Sequence, residues 1–136
     1  MTSIFIAEDE DELRFLFKEL LESRGFDVFC NTCDCKDTLK SIKNLEENPN
    51  LYILDHALML TNDIETYRKI MKRDPYARIL FMSEDEKLKN KIKGNGNVGV
   101  LVKPFLLSTF MDAVQKMVFG PTPAGSGSTD AAVFRN

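Results

Sequence analysis

No apolar run in this chain approaches the roughly 20 residues that a bilayer-spanning helix needs, so no transmembrane segment is expected. The N-terminus has neither the basic region nor the cleavage site of a secretory signal. Positive charge is in deficit: 18 Lys and Arg stand against 21 Asp and Glu, a formal net charge of −3. That removes the global positive field that would recruit nucleic acid, so direct contact with nucleic acid or membrane is not expected. Cysteine is scarce, and Cys30, Cys33 and Cys35 are odd in number and crowded into C-N-T-C-D-C. This is unlike a secreted disulfide framework. Three thiols with no histidine nearby also make an incomplete zinc set, so no function is assigned to them. No internal repeat is found. A cytoplasmic chain of 136 residues, long enough for one hydrophobic core, is the expectation.

What the chain does contain is alternation. Short apolar runs at Ser3–Ala7, Phe26–Cys30, Leu51–Leu54, Arg78–Met82 and Val98–Val102 read as five strands. Between and after them lie amphipathic stretches. Leu13, Leu16, Phe17, Leu20 and Leu21 make the first helical stripe, which Gly25 ends. Leu39, Ile42 and Leu45 make the second, which stops near Asn48-Pro49. Asn62 opens a third helix, with Glu65 as a capping partner and Ile64, Tyr67 and Met71 facing inward, and Asp74-Pro75 closes it. A short polar helix anchored by Leu88 and Ile92 follows the fourth strand. Leu107, Phe110, Met111, Val114 and Met117 form the last helix. Strands alternating with helices predict an α/β domain, and strands apolar throughout predict a parallel sheet covered on both faces. Right-handed crossovers then give a doubly wound, five-stranded sheet. The domain is expected over residues 1–119. Residues 120–136, with P-T-P-A-G-S-G-S at 121–128, read as a flexible linker and tail, disordered or a cloning remnant.

In such a sheet, ligands gather at the carboxyl ends of the strands. Those ends carry Glu8-Asp9, Asp55, Ser83 and Lys103-Pro104. Three carboxylates in one place repel unless a cation joins them. Magnesium takes hard oxygen ligands and can also hold phosphoryl oxygens. A carboxylate can act as nucleophile and become an aspartyl phosphate. Lysine supplies a compact charge for phosphate, and a serine hydroxyl can donate to a phosphoryl oxygen. Taken singly, each residue has an ordinary explanation as a helix cap, a turn residue or a dipole partner. The ordered set, each member at a strand end, is much harder to obtain by accident.

In the pieces I-F-I-A-E-D-E-D-E-L-R, L-Y-I-L-D, I-L-F-M-S and V-L-V-K-P-F, residues 2–118 resemble the receiver domain of two-component response regulators. The resemblance implies a flavodoxin-like fold with strand order 2-1-3-4-5. It implies that Asp55 is the phospho-acceptor and a ligand of Mg2+, together with Glu8, Asp9 and the backbone carbonyl of His56. Ser83 takes the position of the switch hydroxyl, Lys103 that of the phosphate-contacting lysine, and Pro104 follows through a cis bond. The implied partners are a sensor histidine kinase or phosphotransfer protein, and a downstream protein or a covalently linked output or kinase domain.

The chain departs from the family pattern at Met59 and Asp63, where Pro and Gly are common, and at Glu84, where a small residue is usual after the hydroxyl. Val100 stands where an aromatic residue commonly reports phosphorylation. These four residues motivate an alternative, a receiver-like interaction module that works without phosphorylation. A hydrolase with Asp55 as nucleophile would want a second aspartate at position 57, where Ala57 stands.

Overall fold

Strands β1 (Ser3–Ala7), β2 (Asp27–Asn31), β3 (Leu51–Asp55), β4 (Ile79–Ser83) and β5 (Val98–Val102) pair in parallel in the order β2-β1-β3-β4-β5. The computed structural model describes residues 2–31, 35–56, 63–88 and 97–120, with the side chains of 31, 35–37, 63 and 64 outside that description. Among the described residues four helices accompany the sheet: α1 (Asp11–Ser23), α2 (Cys35–Lys43), α3 (Asp63–Arg73) and α4 (Leu107–Phe119). The expectations for Met59, Asn62, Ile92, Cys33 and the 121–136 tail lie outside the described residues, as do those for the side chains of Cys35, Asp63 and Ile64.

All residues of β3 and β4 are buried, which is why their runs are apolar without alternation. The pleat sends neighbouring residues to opposite faces. Ile4, Ile6, Leu51 and Ile53 pack with Phe17 and Leu21 of α1 and with Phe110, Met111 and Val114 of α4. Phe5, Ala7, Tyr52 and Leu54 pack on the other face with Ile42 of α2, Ile70 of α3 and Leu88. Two layers of helix thus cover one sheet, as the sequence predicted. Two stripe assignments need correction. Leu16 is 41% exposed and Leu107 is 42% exposed. Leu16 sits at the edge of a stripe already filled by Phe17 and Leu21. Leu107 is the first residue of α4, before the helix reaches the sheet. The inward set of α3 also includes Ile70, which is more deeply buried than the partly buried Tyr67 and Met71.

The C-terminal ends of three helices are closed, one by a local turn and two by arginines from other elements. After α1, Gly25 has φ +89°, donates its N–H to Glu22 O at 3.0 Å, and lets Phe26 donate to Leu21 O at 3.2 Å. Phe26 and Leu21 both enter the core, completing the hydrophobic contact typical of this C-terminal motif. Arg73 reaches from α3 to the carbonyls of Ile42 and Leu45 and to Asn48 Oδ1 at 2.9 Å, capping the end of α2. Arg78 does the same for α4 at the Met117 and Val118 carbonyls.

Candidate functional site

The chain leaves β1 towards α1 on one side of the sheet and enters β3 from the other, so the order reverses between these adjacent strands. At this switch point a crevice opens past the carboxyl ends. Glu8 and Asp9 follow β1, and Asp55 ends β3. One carboxylate oxygen from each lies within 4.8 Å of the others. Glu8 and Asp55 are buried, while Asp9 is exposed.

Lys103, just past β5, crosses this group. Its Nζ lies 3.2 Å from Asp55 Oδ2 and 3.5 Å from Glu8 Oε1. Burial alone would pull its ammonium down. The charges of Asp55 and Glu8 and the hydrogen bond with Asp55 outweigh that and hold it above the ordinary lysine value. The Lys103 N–H donates to the Ser83 carbonyl at 2.7 Å, locking the ends of β4 and β5 together. The Lys103-Pro104 bond is cis, as the family resemblance implied. Beyond it, Phe105 stacks with Phe17 and Phe110 at centroid distances of 6.2 and 6.0 Å. The aromatic trio anchors the loop that carries the lysine.

Glu8 carries the strongest electrostatic signature. Its carboxyl is pushed up to about 7 from an ordinary 4.5, first by burial, then by a hydrogen bond with Asp55 and by the charge of Asp55, against Glu10 N–H and Lys103. Oε2 accepts from Glu10 N–H at 3.1 Å. Oε1 is buried and has no hydrogen-bond donor among the described residues. An ionised Glu8 therefore leaves one oxygen facing Asp55 with only a lysine charge nearby. Protonation or a cation relieves it. Arg14 of α1 holds the Glu8 carbonyl at 3.1 Å while pairing with Asp11, which fixes the loop. The donor set of three carboxylates around an orphaned buried oxygen fits a hard divalent cation such as magnesium.

Ser83 ends β4 and is 1% exposed. Its hydroxyl contacts the His56 ring, with Oγ 2.9 Å from Nδ1, and accepts from Asp85 N–H at 2.9 Å. Sequence reasoning placed the His56 backbone at the site and missed the ring. The clue was the register, since Asp55 pairs with Met82 and so the residues that follow, His56 and Ser83, stand side by side. Glu84 is exposed and lines a cavity of about 550 Å³ with Glu10, Phe17, Lys103, Pro104 and Phe105. That cavity adjoins the carboxylates through Lys103. Val100 is buried beside Phe81 in the sheet core. Cys30 is exposed and free. Among the described residues, Glu8, Asp9 and Asp55 are the group placed to hold a metal ion.

These features define a doubly wound α/β domain with an acidic, lysine-crossed crevice at its switch point. The chain belongs to the response regulator receiver domain family, whose model matches residues 4–115. It is 28% identical over 120 residues to the transcriptional regulatory protein CssR of Bacillus subtilis, covering 85% of this chain and 51% of that one. The chain thus spans about half the length of that relative. It is 26% identical over 117 residues to the chemotaxis protein CheY of Thermotoga maritima, covering 84% of this chain and 95% of CheY. The response regulator TrrA of Thermotoga maritima, solved in complex with Mg(2+)-BeF, matches the fold with a TM-score of 0.69 at 23% identity, covering 86% of this chain and 99% of TrrA. The family is that of two-component signalling receivers. Among the described residues no helix is long and apolar enough to cross a membrane.

Proposed function

We propose that the chain is a phospho-accepting receiver of a cytoplasmic two-component phosphorelay. A phosphoryl group passes from the phosphohistidine of a sensor histidine kinase, or of a phosphotransfer protein, to Asp55. The carboxylate oxygen of Asp55 attacks phosphorus, the P–N bond breaks, and the donor imidazole leaves with the bonding pair. An acyl phosphate on Asp55 results. The observation that carries this reading is the burial of Asp55 at 3.2 Å from Lys103, with oxygens of Glu8 and Asp9 in the same small group.

Magnesium, held by Glu8, Asp9, Asp55 and the His56 backbone carbonyl, would neutralise charge on the acceptor and phosphoryl oxygens. Lys103 stands ready to exchange its Asp55 contact for a phosphoryl oxygen, keeping its charge because its pKa is held up. Ser83 donates its hydroxyl proton to another phosphoryl oxygen. The work is positioning and charge neutralisation, by which the chain assists its own phosphorylation and dephosphorylation. The product shifts a surface that a downstream protein, or a covalently linked output or kinase domain, reads. The relatives support this: CssR is named a transcriptional regulator, and TrrA was solved with Mg(2+)-BeF.

A second reading, an interaction module that works without phosphorylation, draws on Glu84, which is exposed at the cavity beside Lys103. Intact-mass measurement after a small phosphodonor separates the two. One phosphoryl group on the wild type, dependent on magnesium and lost in Asp55→Asn, supports the acceptor. No gain in mass with any donor supports the module.

A further inference from the structure

Ser83 has a competitor for its hydroxyl. A serine hydroxyl has one proton and two lone pairs. Asp85 N–H occupies one lone pair of Oγ at 2.9 Å. The proton has two acceptors in reach, His56 Nδ1 at 2.9 Å and the Asp85 carbonyl at 3.3 Å. The nearer one is the better hydrogen bond, so with His56 in the tautomer that leaves Nδ1 unprotonated the proton points at the ring. Yet the phosphoryl chemistry proposed for Asp55 asks for that same proton at a phosphoryl oxygen. It cannot serve both.

The competitor is held in place by the sheet. Asp55 lies opposite Met82 in the β3–β4 ladder, so the residue after each strand's pair, His56 and Ser83, are neighbours across the edge. Ser83 is almost fully buried and its backbone carbonyl is fixed by Lys103 N–H, which holds its backbone in place beside the ring. We propose that the His56 imidazole is a latch, a positioning residue that holds the Ser83 hydroxyl in the unphosphorylated arrangement and must release it when Asp55 is phosphorylated. The latch rests on the acceptor reading above. It lowers the phosphorylated population by the strength of one hydrogen bond, so that the side chain next to the acceptor sets how readily the switch is thrown. His56 acts through Ser83, and its ring needs no contact with the phosphoryl group.

The test is the affinity for beryllofluoride, a phosphoryl mimic, in excess magnesium. The chain has no tryptophan, so calorimetry is the readout. Four proteins are compared: wild type, His56→Ala, Ser83→Ala and the double variant. His56→Ala keeps the backbone carbonyl. It should bind beryllofluoride about fivefold more tightly than wild type, the net worth of one hydrogen bond. In the Ser83→Ala background the same change should have no effect, because the hydroxyl it competes for is gone. His56→Asn, whose amide oxygen can stand near the Nδ1 position, should restore wild-type affinity. A general structural role of the ring would move both backgrounds equally. Weaker binding by His56→Ala, or an equal effect in both backgrounds, overturns the latch and leaves the acceptor reading standing. Absence of both beryllofluoride binding and phosphodonor labelling in wild type overturns the two together.

Discussion

Two buried carboxyls, Glu8 and Asp55, share one ammonium, and the imbalance falls on Glu8. Because its folded pKa of about 7 exceeds the ordinary 4.5, Glu8 prefers its proton in the folded chain. Below pH 4.5 both folded and unfolded states are protonated and no penalty exists. From pH 4.5 upward the unfolded chain ionises Glu8 while the folded chain keeps its proton, so that share of stability is lost progressively as pH rises towards the folded value of about 7 and stays lost above it. At about 1.4 kcal/mol per unit, the loss amounts to roughly 3 kcal/mol. In Glu8→Gln the loss is absent. Urea unfolding in chelator should therefore show Glu8→Gln gaining on wild type by about that much between pH 4 and 8. Magnesium should narrow the gap by pairing the ionised form, and curves that stay parallel across this range would refute the account. Glu84 belongs to the same scale. It is exposed at the cavity that Lys103 adjoins, where its charge opposes an incoming anion. Glu84→Ala should label several-fold faster than wild type with a small phosphodonor. Equal rates would remove Glu84 as an obstacle.

Elements are held at both ends by different means. The edge opposite the site is fastened by arginines, Arg73 on α2 and Arg78 on α4, and by the left-handed turn at Gly25. A Cβ at Gly25 would meet no atom within 4 Å, so the cost of Gly25→Ala is the backbone alone. Chemical denaturation should show a loss of about 1–2 kcal/mol, with phosphodonor labelling unchanged. A neutral substitution would mean that the turn relaxes. The elements were legible in the sequence because hydrophobic period separates strand from helix, and every strand stands within one residue of its expected place. The stripes were less so. Periodicity put Leu16 in its stripe and left Ile70 out, and what decides each is the depth of its helix against the sheet, which no single helix encodes. Arg73 and Arg78 were also not readable, since their partners lie on other elements, 25 to 40 residues away.

The molecule as a whole divides its labour across the sheet, with fastening at one edge and chemistry at the other. The positions of Glu8-Asp9, Asp55, Ser83 and Lys103 at the strand ends were legible because a parallel sheet aligns those ends, so four segments far apart in sequence come out on one rim. The His56 ring was not legible, because its contact with Ser83 depends on strand register and side-chain direction rather than on residue type. Phosphoryl acceptance at Asp55 is the claim on which the rest depends. Intact mass after incubation with a phosphodonor tests it most directly. Wild type with magnesium should gain one phosphoryl group, and neither wild type in chelator nor Asp55→Asn should gain any. Equal labelling of Asp55→Asn, or no labelling of wild type, would contradict it.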